Sequence, residues 1–222
     1  TGSSLKDIYS KAPFTVADIK AKLDARNAEY KKTATKEILL QEITPEELKE
    51  LKATAPKKIG FYKLIADKIS KPATDESPMD RGNRLEEEAV AELSKATGIE
   101  FQAISNLIWE REDNTNIAIS PDAVASNTVA GEIKCLASEK HIQALLTQEI
   151  PDEYYPQVLQ YFIVNDELET LYFGFYDPRL ITKQFHYIVF NREDLQEDIA
   201  DYLDYQINIL REVDEVVTQL TF

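Results

Sequence analysis

Two short apolar runs, residues 116–124 and 128–136, constrain this chain most. Each is too short for a buried helix, and only Ala125-Ser126-Asn127 separates them, so they predict a β-hairpin. Helical periodicity stands on both sides. Residues 80–97 place Leu85, Ala89, Val90, Leu93 and Ala96 on one stripe at 100° per residue. Beyond a mainly polar stretch containing His141, a helix opens at Asp152 or Glu153 and runs through Tyr154, Gln157, Val158, Tyr161 and Phe162 to about Val164. Residues 169–176 and 184–190 read as strands joined by the turn Asp177-Pro178-Arg179, and residues 193–218 as an acidic amphipathic helix. Residues 15–70 read as helical, with Thr44 as a cap and Pro45 at the first helical position. Strands interleaved with helices predict an α/β fold.

The 222 residues suit one domain: an N-terminal helical region at 5–78, a core at 79–190 and the C-terminal helix at 191–222. Thr1-Gly2-Ser3-Ser4 reads as the scar of a cleaved tag. A single cysteine, Cys135, excludes an internal disulfide, and no apolar window is long enough to span a membrane. A soluble, cytoplasmic protein is expected. The net charge of -15 argues against binding a polyanion. Its distribution is uneven: residues 52–72 hold six lysines against Asp67, whereas residues 193–215 hold nine acids against Arg211.

Glu86 falls inside the apolar stripe of its helix, while Glu87, Glu88 and Glu92 project to the flanks or away. A lone carboxylate there needs a cation or a hydrogen-bond partner, so it is either salt-bridged at the stripe edge or a metal ligand. In the hairpin, Glu132 and Lys134 share one strand face and Cys135 takes the other, with Asp122 close to the position opposite Glu132. Asp122 and Glu132 offer hard oxygen ligands suited to Mg²⁺, with Glu86 completing the shell from the helix. A bound metal lowers the pKa of its water toward a usable nucleophile. Lys134 can orient or deprotonate that water and stabilise phosphoryl charge, and Gln157 can position the water or a phosphate oxygen.

The ordered motifs Gly82-Asn83-Arg84-Leu85-Glu86 with Ala89, Ser120-Pro121-Asp122, Gly131-Glu132-Ile133-Lys134-Cys135, Tyr154-Tyr155-Pro156-Gln157-Val158 and Tyr176-Asp177-Pro178-Arg179 resemble the phage lambda exonuclease family, the YqaJ-like viral recombinases of the PD-(D/E)xK nuclease superfamily. The resemblance implies a restriction-endonuclease-like core, a mixed central sheet flanked by helices. It implies two-metal hydrolysis with Mg²⁺, Mn²⁺ able to substitute, and 5′ to 3′ degradation of one strand of double-stranded DNA. It also implies a ring-shaped homotrimer working beside a single-strand annealing recombinase. Glu86, Asp122, Glu132 and the Ile133 backbone carbonyl would hold metal, with Lys134 and Gln157 catalytic and Ser120 near the 5′-phosphate. Where the family carries an N-terminal Arg for that phosphate, this chain has Lys11 and no Arg. Arg81 and Arg84, at the start of the Glu86 helix, are further candidates for DNA contact.

His141 and His186 lack paired cysteines and do not read as a zinc site. Trp109 reads as core packing or as a stacking platform for a base. Two other functions compete with the exonuclease: a structure-specific or restriction-type endonuclease using the same chemistry, and a non-catalytic acidic scaffold or DNA mimic.

Overall fold

The computed structural model describes residues 16–28, 36–54, 57–73, 75–104 and 106–221. Residues 1–4 and Lys11 lie outside these. Contacts divide the chain into two compact units, Thr1–Lys68 and Ile69–Phe222.

The first unit holds helices α1 (Val16–Ala25), α2 (Lys36–Gln41), α3 (Pro45–Thr54) and most of α4 (Ile59–Ile69). Ile19, Leu23, Leu39 and Leu51 form its apolar cluster. The Thr44 cap is a reciprocal box: Thr44 Oγ1 accepts the Glu47 N–H at 3.2 Å while Glu47 Oε2 accepts the Thr44 N–H at 2.8 Å.

In the second unit, α5 (Pro78–Thr97) starts two residues before the expected position because Pro78 is tolerated at the first helical turn. Ser77 caps it by accepting the Asp80 N–H at 3.1 Å, and Gly98, at φ 73°, ends it. Leu85, Ala89, Val90 and Leu93 are buried; Ala96, at the end of the predicted stripe, is exposed.

The predicted hairpin forms only in part. Residues 116–124 divide into β3 (Asn114–Ile119), which pairs with β2 (Trp109–Arg111) in a separate two-stranded sheet, and β4 (Ala123–Ser126), which forms the hairpin with β5 (Val129–Lys134). The chain breaks at Pro121, which has no N–H for a ladder, beside Ser120, whose Oγ donates to the Leu107 carbonyl at 2.7 Å. With β1 (Gln102–Ala103), β6 (Thr170–Tyr176) and β7 (Phe185–Asn191), the main sheet has the order β1-β4-β5-β6-β7. Only β5 and β6 are parallel, because a long helical crossover joins them.

That crossover contains the one helix that hydropathy missed. The polar stretch around His141 is α6 (Ser138–Thr147), whose buried face is Ser138, His141, Ile142 and Ala144, too small and polar to register as an apolar stripe. It is followed by α7 (Tyr155–Val164), entered through a single 3-10 turn. The expected C-terminal helix is α8 (Gln196–Thr221).

Two apolar layers cover the sheet. Leu85, Ala89, Val90 and Leu93 of α5 pack with Ile133 and Tyr176 on one face. Val158, Tyr161 and Phe162 of α7 and Ile199 of α8 pack with Ala130, Phe173 and Phe175 on the other. Gly131 is where α5 comes closest: a Cβ there would lie 2.7 Å from Leu93 Cδ2 and 3.2 Å from Ala123 Cβ.

His141 and His186 meet edge-on at 4.7 Å, with His186 stacked on Phe175 at 4.8 Å. The His141 Nε2 contacts the Lys183 carbonyl at 3.0 Å; the remaining three ring nitrogens of the pair have no hydrogen-bond partner among the described residues. Burial lowers both, His186 to about 3, helped by His141. Because the unfolded chain binds these protons more readily, their contribution to stability is full above the ordinary value of 6.5 and is lost as pH falls below it. Thermal melts between pH 7 and pH 4 should therefore show a declining midpoint, and His186→Leu should flatten the decline; an unchanged slope in that variant assigns the sensitivity to other groups.

Candidate active site

The carboxyl end of β5 brings together most of the residues singled out in the sequence. Glu132 and Lys134 lie on the strand face that carries Ala130, toward α7, and Ile133 points to α5. Glu132 is only 2% exposed. Its Oε1 accepts the Lys134 ammonium and, at 2.7 Å, the Gln157 amide; its Oε2 accepts the Tyr161 hydroxyl. The Lys134 ammonium also stands over the Tyr154 ring, 5.1 Å from its centroid. Tyr154, Gln157 and Tyr161 thus address one strand face from three successive turns, the last two from α7.

Asp122 occupies a bend just before β4 rather than the strand itself. The pairing of Ala123 with Gly131, continued by one residue, carries Asp122 to the position opposite Glu132, and its Oδ2 accepts the Ile133 N–H at 2.8 Å. Burial, then the Glu132 charge, pushes its carboxyl up to about 7, against the opposing pull of the Ile133 N–H and Lys134. Glu86 reaches the same place from α5, half-buried, and is raised by burial and by Glu132. It has no ion-pair partner among the described residues.

A cleft of about 440 Å³ opens here, with Glu86, Asp122, Ile133 and Lys134 in its wall together with Arg81 and Lys140. Glu132 and Gln157 are not part of that wall. Arg81 donates to the Cys135 carbonyl at 2.8 and 3.1 Å. Lys140, invisible as a site residue in the sequence, pairs with Glu153 at 2.9 Å. Burial pushes the Cys135 thiol up to about 12, so it stays protonated.

Other candidates stand apart. The Arg84 guanidinium pairs with Glu76 at 2.7 Å and does not line the cleft, and neither does the exposed Ser120. Arg179 turns inward to Asp177 at 2.8 Å and to the Leu136 carbonyl at 3.4 Å. Trp109 packs edge-on to Tyr161 at 6.3 Å.

Among the described residues no three His, Cys, Asp or Glu side chains converge as a ready-made metal cage. The donor chemistry nevertheless fits a hard cation. Glu86, Asp122 and Glu132 repel one another, and Lys134 is the positive group that offsets Asp122. A divalent ion relieves such repulsion, and Mg²⁺ needs only one or two carboxylates beside its waters.

The fold is shared with an alkaline exonuclease from Laribacter hongkongensis, matched at a TM-score of 0.54 and 21% identity over 71% of this chain and 90% of that one. The same exonuclease in complex with dAMP matches at a TM-score of 0.50 and 18% identity over 95% and 93%. The five-stranded mixed sheet, its flanking helices and the C-terminal helix are thus the restriction-endonuclease-like architecture expected from the sequence. No curated protein matches the sequence. The YqaJ-like viral recombinase model matches residues 16–167, more than half of the chain and all of the cleft residues, and the chain belongs to that family.

Proposed function

We propose that this protein is a divalent-metal-dependent deoxyribonuclease that degrades double-stranded DNA from its ends in the 5′ to 3′ direction during phage-type recombination. The observation that carries this reading is the convergence, at one strand end beside an open cleft, of Asp122, Glu132, Lys134 and Gln157 with Glu86 facing them. Glu86, Asp122, Glu132 and the Ile133 carbonyl would hold Mg²⁺ or Mn²⁺, which supplies an activated water and neutralises phosphoryl charge when bound. Lys134 orients that water and stabilises charge developing on the phosphate oxygens. Gln157 holds Glu132 in place, and Arg81 and Lys140 present positive charge to the DNA backbone. Ser120 and Arg84, which do not line the cleft, serve the 5′-phosphate only if the DNA path extends beyond it, and Lys11 is the N-terminal candidate for the same phosphate.

The reading includes a homotrimer that encircles its substrate and a single-strand annealing recombinase as partner, acting in the bacterial cytoplasm. Its support is the family membership and the shared fold. No helix among the described residues is long and apolar enough to cross a membrane.

The test is digestion of linear and covalently closed circular duplex in Mg²⁺. Loss of the linear form alone is expected. Rapid cutting of closed circles points to an endonuclease with the same core. No hydrolysis of either in Mg²⁺ or Mn²⁺ leaves an acidic scaffold, in keeping with the net charge of -15.

A further inference from the structure

Tyr161 has a hydroxyl that packing does not explain. The ring is fully buried, with Trp109 edge-on at 6.3 Å, and a phenylalanine would fill the same space. A buried phenol must find a partner. This one donates to Glu132 Oε2.

The lone pairs of Glu132 show what that link does. An ionised carboxylate offers about four acceptor positions. Lys134 and Gln157 take both on Oε1, and Tyr161 takes one on Oε2. The position left is on the oxygen that Tyr161 grips. Without the hydroxyl, only Oε1 is held, by Lys134 and Gln157, and Oε2 loses the bond that fixes the carboxylate plane about a terminal torsion that is broad.

We propose that Tyr161 is a positioning residue of the hydrolytic site: its hydroxyl fixes the plane of the Glu132 carboxylate so that the free Oε2 lone pair is held ready for a divalent cation. The inference rests on the nuclease reading for its consequence in catalysis, but the metal-binding part stands independently. Partners that orient a metal's carboxylate typically matter by roughly 10–100-fold in affinity or activity.

The experiment compares the 222-residue protein with Tyr161→Phe and Trp109→Phe. Mn²⁺ binding is measured by calorimetry, melting midpoint by circular dichroism, and hydrolysis of linear duplex over a Mg²⁺ titration. Tyr161→Phe should weaken Mn²⁺ binding about tenfold or more, raise half-saturating Mg²⁺ in parallel and lower kcat, with KM for DNA unchanged. Trp109→Phe loosens the same packing without touching the hydroxyl and should leave Mn²⁺ affinity unchanged. Equal Mn²⁺ affinity in Tyr161→Phe and the parent overturns the proposal, as does an equal loss in the two variants. A parent that binds Mn²⁺ but hydrolyses no DNA, with binding weakened in Tyr161→Phe, sustains the positioning role and refutes the nuclease. A parent that binds no Mn²⁺ refutes both.

Discussion

Lys134→Ala is expected to lower kcat for hydrolysis of linear duplex by about 10²–10⁴-fold while the folded structure persists. The ammonium is the cation in direct contact with Glu132, is 22% exposed where the strand reaches the cleft, and is held there by the Tyr154 ring. Alanine removes the group that would orient water and stabilise the phosphoryl oxygens. The fold survives because Glu132 keeps the Gln157 amide and the Tyr161 hydroxyl as donors, and the apolar layers on both sheet faces are untouched. The measurement is initial rate in Mg²⁺ together with the circular dichroism spectrum and melting curve. A rate within a few-fold of the parent sinks the role of Lys134; an unfolded variant shows that the ammonium is structural.

The second large effect concerns stability. Asp177 is 1% exposed and is bonded to the Ser138 hydroxyl, to the Arg179 N–H at 3.1 Å and to the Arg179 guanidinium at 2.8 and 3.0 Å. Burial alone would raise its carboxyl, but the bonds from Arg179 and Ser138 hold it below the usual range. Arg179 also donates to the Leu136 carbonyl, so this one carboxylate ties the end of β6 to the chain leaving β5 and to the first turn of α6. Removing one member of a buried ion pair strands the other, at a cost of about 3–5 kcal/mol. Asp177→Ala should therefore melt about 6–20 °C below the parent, given roughly 2–4 °C per kcal/mol at this chain length. Asp177→Asn, which keeps the size and part of the hydrogen bonding, should fall between. A loss of less than about 1 kcal/mol for the alanine variant would show that solvent replaces the pair. Reduced hydrolysis is expected to accompany the drop, because Leu136 follows Lys134 by two residues.

How much of this was legible beforehand depended on whether the signal was local. The α5 stripe, the strands β6 and β7 and the α8 helix announce themselves by apolar period, and the structure places them within a few residues of expectation. The Pro121 break was legible in principle, since proline cannot sit inside a ladder, yet the apolar run across it concealed it. Helix α6 was not legible: its buried face includes Ser138 and His141, whose burial is compensated by Asp177 and the Lys183 carbonyl, partners more than 35 residues away. The Asp177-Pro178-Arg179 turn is legible from its residue types, but that its charges face inward follows only from packing.

The sequence by itself determined the α/β pattern, the family motifs and the shared strand face of Glu132 and Lys134, because alternation along a strand is a property of the backbone. Only the tertiary structure decided which donors hold each carboxylate. Asp122 depends on a bend and an Ile133 N–H eleven residues on, Glu132 on Gln157 and Tyr161 across the crossover, and Glu86 on its burial and the charge of Glu132. Those relations arise from chain segments meeting in space, and in a low-dielectric interior such meetings set the charge, the orientation and the chemistry of each group.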